Sequence, residues 1–171
     1  MRDLSDRARS LRLAIFDVDG VLTDGTLWIG AEGEAFKAFN ILDGHGIKML
    51  QAGGIDTAIL SGRESRAVER RAAELSIRHV VQGAGDKKAA FERLLAEARC
   101  APEACSFMGD DLPDLEVMRL CGFAVAVANA VDAVKAAAHY VTHAHGGRGA
   151  VREFCDLVLA ARAQLGGVRA V

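Results

Sequence analysis

Apolar and polar positions along the chain switch between two periods, and each switch marks an element. Leu13-Ala14-Ile15-Phe16 is an unbroken apolar run that stops at two carboxylates, Asp17 and Asp19. A run of this length reads as a buried strand. Gly20 and Gly25 follow in a polar turn, where glycine lets the backbone bend sharply and approach a ligand. Similar runs predict strands at Asp56 to Leu60, Arg78 to Gln82, Cys105 to Met108 and Phe123 to Val127, with a short one at Tyr140 to Thr142. Helices are expected from Asp43, as cap, to Ala52, then over Ser65 to Leu75 and, opened by Asp86, over Lys87 to Cys100. Three more are expected at Pro113 to Leu120, Val131 to Ala137 and Gly149 to Ala163. Residues 1–12 read as a polar lead-in with at most a loose helical turn. Two short apolar runs flank Gly30-Ala31-Glu32-Gly33, so Thr26 to Asn40 is expected to form a hairpin.

Strands alternating with helices predict an α/β fold, a three-layer, Rossmann-like parallel sheet covered on both faces. Right-handed crossovers then put every strand's carboxyl end on one edge. Ligands of open α/β sheets bind at that edge. The polar clusters after the first, second and fourth strands therefore converge, joined by Lys87 after the third. The 171 residues fit a single domain, 1–171, with the hairpin insertion at about 26–40 and a C-terminal helix and tail at about 149–171.

Composition removes several function classes. Hydrophobic residues make up 51% of the chain, enough for a large core. The net charge of −2 offers no strong field to nucleic acid or an anionic membrane. No apolar run reaches the roughly 20 residues of a membrane span, and residues 1–12 lack the apolar core of a signal peptide. Cys100, Cys105, Cys121 and Cys155 contain no Cys-x-x-Cys pair and read as reduced thiols of a cytoplasmic protein. His45, His79, His139, His143 and His145 read as loop or surface positions.

The chemistry lies in the acids. Asp17, Asp19, Asp110, Asp111 and Asp114 bring five carboxylates to one edge. Two such charges 4 Å apart repel by about 4 kcal/mol at an effective dielectric of 20. A hard divalent cation is the natural compensation, and magnesium suits carboxylates, waters and a substrate phosphate. Lys87 and Ser61 add a positive charge and a hydroxyl donor suited to phosphoryl oxygens. Acids, one lysine and one hydroxyl read as magnesium-dependent phosphoryl transfer. Asp17 and Asp19 share one side of the chain. One can attack phosphorus, and the other can carry the proton to the leaving alcohol and from the water. Asp111 reads equally as a neighbour of the site or as a helix cap. Asp114, one turn after Asp110, can brace Lys87 or a metal-bound water. Thr23 and Asp24 are read as stabilising the turn.

These residues resemble the haloacid dehalogenase-like phosphatase superfamily. Its Asp-x-Asp-Gly-x-Leu-Thr signature stands at Asp17 to Thr23, its Ser/Thr at Ser61, its Lys at Lys87 and its acidic motif at Gly109 to Asp114. The resemblance implies Asp17 as nucleophile, Asp19 as acid and base, and Ser61 and Lys87 as phosphate ligands. It implies magnesium held by the side chains of Asp17 and Asp110 and by the backbone carbonyl of Asp19. Asp43-Gly44-His45-Gly46-Ile47, Ser61-Gly62-Arg63, Gln82-Gly83 and Gly146 to Glu153 extend the likeness. Together they resemble the 3-deoxy-D-manno-octulosonate 8-phosphate phosphatase family, which makes Kdo for lipopolysaccharide. Lys87 is the motif lysine by position, with Lys88 as the fallback.

The intervals Asp17 to Ser61 and Lys87 to Asp110 are too short for the cap domains of larger relatives, so no cap domain is expected. An open site excludes water poorly. The hairpin carries Leu27, Trp28, Ile29, Phe36 and Phe39 beside the site, and a two-stranded ribbon is marginal alone. Hairpins of several subunits are therefore expected to wall one another's sites, and the resemblance implies a homotetramer. The alternative is a ribbon packed on its own domain. The acidic sugar of that family's substrate makes Arg63, Arg71, Arg148 and Arg152 candidate carboxylate partners. The Arg148 loop and the C-terminal tail are expected to reach a neighbouring site. One rival reading is a phosphatase for a nine-carbon 3-deoxynonulosonate 9-phosphate, although Arg63 fits the eight-carbon family. A receiver-like signalling domain, the non-enzyme reading, needs an aspartate closing the third strand, and none stands there.

Overall fold

The computed structural model describes residues 3–166. Six parallel strands form one sheet in the order β5-β4-β1-β6-β7-β8. They are β1 (Leu13–Phe16), β4 (Asp56–Leu60), β5 (His79–Val81), β6 (Cys105–Gly109), β7 (Phe123–Ala126) and β8 (Tyr140–Val141). The hairpin strands β2 (Trp28–Gly30) and β3 (Gly33–Phe36) make a separate antiparallel pair. β1 is central and wholly buried, which is why its sequence has no polar face.

Seven helices complete the described residues: α1 (Leu4–Ser10), α2 (Ile41–Ala52), α3 (Arg66–Glu74), α4 (Lys87–Ala98), α5 (Leu115–Leu120), α6 (Asp132–Ala137) and α7 (Ala150–Gly166). α7 packs on α2 and α1, while α4, α5 and α6 pack in series as a second layer. The sheet between them is the core, with Phe16, Phe107, Phe123 and Phe154 fully buried. Phe154 meets Phe16 and Phe123 edge to face, at centroid distances of 6.2 and 5.7 Å. Aromatic pairs favour that geometry.

Register positions the site. Phe16 pairs with Ile59 on one side and Met108 on the other, so β1, β4 and β6 end together. The chain moves outward from β1 to β4 and β5, then crosses back to β6. That reversal beside β1 is a topological switch point, where such sheets bind ligands. Only the hairpin and α2 separate β1 from β4, and only α4 and a short turn separate β5 from β6. Neither interval holds a cap domain, as the spacing predicted.

Local differences from the sequence reading have physical causes. The lead-in is a true helix, because Ala8 and Leu11 are buried and α1 packs on α7. Asn40, not Asp43, caps α2, its side chain accepting from Leu42 N at 2.8 Å. Asp43 is buried and serves the other helix, accepting from Arg152 N at 2.8 Å and Gly149 N at 3.3 Å at the start of α7. Burial raises its pKa above the ordinary value, against those backbone donors. The stretch 113–120 splits into a short 3-10 turn, Leu112–Asp114, followed by α5. The C-terminal tail expected to reach a neighbouring site lies outside the described residues.

Candidate active site

After β1 the chain makes one wide helical turn, Val18–Leu22, broken at Asp19 and Gly20. Thr23 closes it, donating from Oγ1 to Val18 O at 3.2 Å and accepting from Gly25 N at 3.3 Å. Asp24 accepts from Thr26 N at 3.0 Å. These two residues hold the turn, as the sequence suggested. Gly20 sits at φ +92°, and a Cβ there would lie 2.0 Å from Asp110 Oδ2. Only glycine allows Asp110 to come so close.

The turn opens into a cleft of about 910 Å³, lined among others by Asp17, Asp19, Ser61, Arg63, Lys87 and Asp110. Asp111 and Asp114 also line it, and so does Lys88 at the mouth. Each residue comes from the end of a strand or the start of a helix. Ser61 follows β4 and is buried, and Lys87 is the first residue of α4, capped by Asp86. Lys87 Nζ lies 2.6 Å from Asp114 Oδ1 and 3.1 Å from Asp17 Oδ2. Asp114 Oδ2 accepts from Asp110 N at 2.9 Å and Asp111 N at 3.2 Å. Asp111 in turn accepts from Leu112 N, so it caps the 3-10 turn while exposed at the rim.

The floor is electrostatically strained. Burial, then the charge of Asp114, pushes Asp17 up to about 7 despite Lys87. Burial, then Asp17 and Asp114, pushes Asp110 up to about 7 as well. Burial works against the charged form of Lys87, but Asp17 and Asp114 outweigh it and its pKa is raised. Asp17, Asp110 and Asp114 each offer an oxygen within 4.8 Å of the others. Asp114 is already committed to Lys87 and two backbone donors. The oxygens left for a cation are those of Asp17 and Asp110, which a hard divalent ion fits.

The arginines separate. Arg63 stands half-exposed on the cleft wall, 3.6 Å from both Asp19 and Glu34. Arg71 lies away from the cleft, bonded to Glu74 at 2.9 Å and to Asn40 O at 3.4 Å. Arg152 pairs with Asp156 on α7. Arg148 is exposed and reaches Asp24 at 3.1 Å. The loop before it packs on the turn of its own chain. Gly147 N donates to Val21 O at 2.8 Å, and a Cβ on Gly146 would lie 1.7 Å from Gly20 O. Glu153 anchors the same segment, accepting from Tyr140 Oη at 2.6 Å and from His143 N and Ala144 N. Burial would raise the pKa of Glu153, but these donors hold it at about 2.

Two residues absent from the sequence reading belong to this edge. Glu34, just past the hairpin's turn, reaches Arg63, and Lys37, just after β3, reaches Asp19. Their only signal was charge on an otherwise apolar ribbon. The apolar side chains of the hairpin behave differently. Leu27, Trp28, Ile29 and Phe36 are exposed, and Trp28 stacks on Phe36 at 5.1 Å.

The chain is similar to known proteins along most of its length. The family model for haloacid dehalogenase-like hydrolases matches residues 76–154. The 3-deoxy-D-manno-octulosonate 8-phosphate phosphatase of Yersinia pestis is 49% identical over 165 residues, covering 96% of this chain and 88% of that protein. The Moraxella catarrhalis enzyme of that name, solved with magnesium, phosphate and Kdo, is 40% identical with a TM-score of 0.91. That match covers 96% of this chain and 94% of the other. The cobalt-bound Haemophilus influenzae phosphatase is 41% identical with a TM-score of 0.91, covering 96% of each chain. The chain is a phosphomonoesterase that belongs to the haloacid dehalogenase-like hydrolases and, within them, to the family of 3-deoxy-D-manno-octulosonate 8-phosphate phosphatases.

Proposed function

We propose that the chain hydrolyses 3-deoxy-D-manno-octulosonate 8-phosphate to Kdo and inorganic phosphate, with magnesium as its metal. One observation carries this reading. The Asp17 carboxylate shares the cleft floor with Lys87, 3.1 Å away, and with Asp110, within 4.8 Å. The metal and product in the Moraxella structure's name support the same reading.

In this scheme Asp17 attacks phosphorus in line, forming an aspartyl-phosphate as the bond to the sugar oxygen breaks. Asp19 gives its proton to that oxygen, then takes one from the water that cleaves the intermediate. Ser61 and Lys87 hold the phosphoryl oxygens, while Asp114 keeps Lys87 aimed at Asp17. Asp17, Asp110 and the backbone carbonyl of Asp19 would hold magnesium, which supplies the positive charge that lets two anions approach. Arg63 on the cleft wall is the best-placed partner for the sugar carboxylate. Arg148 and Arg71 would serve a substrate only through rearrangement or a neighbouring site.

Coverage of the cleft comes from other copies of the chain, and the proposed assembly is the homotetramer. Leu27, Trp28, Ile29, Phe36, Ile41 and Leu42, on the hairpin and the start of α2, are all exposed. Burying each large side chain contributes about 1.5–3 kcal/mol, a sufficient drive for association. The product would enter lipopolysaccharide synthesis in the cytoplasm. Phosphate release over a panel of eight- and nine-carbon sugar-acid phosphates, with and without magnesium, tests the whole reading. Turnover without magnesium, or an active Asp17→Asn, would sink the mechanism. Preference for the nine-carbon ester would move the chain to the rival substrate.

A further inference from the structure

One buried cation beside the cleft has no part in the scheme above. Lys37 follows β3, and its side chain is 2% exposed. It does not line the cleft, so it does not meet substrate directly. Its ammonium contacts Asp19 Oδ1 and lies 3.1 Å from Glu34 Oε2. Arg63 spans the same two acids, with Nε 3.6 Å from Asp19 Oδ2 and Nη2 3.6 Å from Glu34 Oε2. Ser65 Oγ donates to Glu34 Oε1. Two hairpin residues and two residues of the loop after β4 therefore form one net around Asp19.

The two cations of that net differ. Arg63 is 48% exposed, so its interaction with Asp19 is screened and its side chain can turn to a ligand. Lys37 has no solvent to turn to. A buried ammonium is costly unless it is paired, and its partners are Asp19 and Glu34. The pairing therefore fixes the Asp19 side chain from outside the cleft.

We propose that Lys37 is a positioning residue, holding the Asp19 carboxylate in its proton-transfer orientation and coupling that carboxylate to the hairpin. The inference rests on Asp19 being the proton carrier. A displacement of about 1 Å in such a group can cost on the order of 100-fold in rate.

The test uses leaving groups. A sugar alcohol needs a proton to depart, whereas p-nitrophenolate leaves without one. Single-turnover release of the leaving group isolates the first step. Lys37→Met is expected to slow release from the sugar phosphate by about 10- to 100-fold. Release from p-nitrophenyl phosphate should change by less than about threefold, because no proton is needed there. Lys37→Arg should restore most of the loss. Lys37→Gln, a gentler change, should give the same leaving-group dependence if Lys37→Met folds poorly. A crystal structure of the Met or Gln variant should show the Asp19 carboxylate displaced, with Asp17, Ser61 and Lys87 in place. Equal losses on both esters, no loss on either, or an unmoved Asp19 overturns the proposal. Asp19→Asn separates the two layers of the argument. If it leaves sugar-phosphate release intact, the proton-carrier reading itself fails. If it is disabled while the Lys37 variants behave normally, only the positioning role fails.

Discussion

Asp17 and Trp28 are near neighbours in sequence, yet the first is 6% exposed and the second 48%. The cleft floor is polar and buried, held by register between β1, β4 and β6 and by the Lys87–Asp114 pair. The hairpin's apolar side chains are exposed, and it is held mainly by its own two strands and by the charged net of Glu34 and Lys37. Burial of polar groups is costly and requires complete pairing within the chain. Exposure of apolar groups is costly and is relieved by a partner. On the proposed reading, the contrast separates what one chain completes alone, the reacting groups, from what it leaves to an assembly, the exclusion of water.

The largest expected effects fall on the floor. Asp17→Asn should lower turnover by about 10⁴-fold or more and abolish acid-trapped phosphoenzyme. Lys87→Met leaves Asp17 and Asp114 buried without their cation. It should cost about 3 kcal/mol or more of stability, read from urea midpoints, besides the loss of activity.

Acidity probes the floor without mutation. Asp17 and Asp110 titrate near 7 in the folded chain, against an ordinary value of 3.8. The folded chain thus holds protons that the unfolded chain releases. Their contribution to stability is full below 3.8 and is lost as pH rises through 7. With a chelator present, the melting temperature should fall between pH 5 and pH 8 by about 4 °C or more. Added magnesium should recover most of that loss at pH 8 and little at pH 5. A flat profile would mean that the floor carboxyls are not strained.

The hairpin should respond in the opposite sense. Trp28→Ser with Phe36→Ser should leave the melting temperature of the isolated chain nearly unchanged. It should shift light-scattering mass toward the monomer and lower kcat/KM by about 10-fold, as water enters the cleft. A fully active monomer would erase the division of labour. Arg148→Ala should have the smallest effect, a rise in KM of about threefold, since its partner Asp24 is a rim contact. No change in KM or turnover would remove Arg148 from the substrate's surroundings.

The legible part of the molecule was whatever one strand end fixes. β4 spans Asp56–Leu60, as its sequence predicted, and Asp17, Ser61 and Asp110 each stand next to a strand's last residue. Sequence order and handedness were enough to gather them. Lys87 was preferred to Lys88 by its position alone, and the structure brings Lys87 to Asp17 and Asp114. What stayed hidden depends on contacts between elements that no local pattern encodes. Asp43 looks like the cap of its own helix, but α7 arrives from more than a hundred residues away and takes its carboxylate. Arg71 looks free for a ligand until α2 occupies it through Asn40. Nothing in the local pattern beyond their charge marks Lys37 and Glu34, and only the folded hairpin brings them to Asp19 and Arg63.

The bare backbone contact between Gly146 and Gly20 also sets a timetable for the newborn chain. The Asp17 turn is made more than a hundred residues before the glycine loop that seats it. At typical synthesis rates that interval is on the order of ten seconds. For a shorter part of that interval β1 lacks β6, and Asp17 lacks Lys87 and Asp110. A nascent chain thus carries the motif well before it carries the cleft, and a ribosome stalled before residue 146 would display Asp17 in an unseated turn.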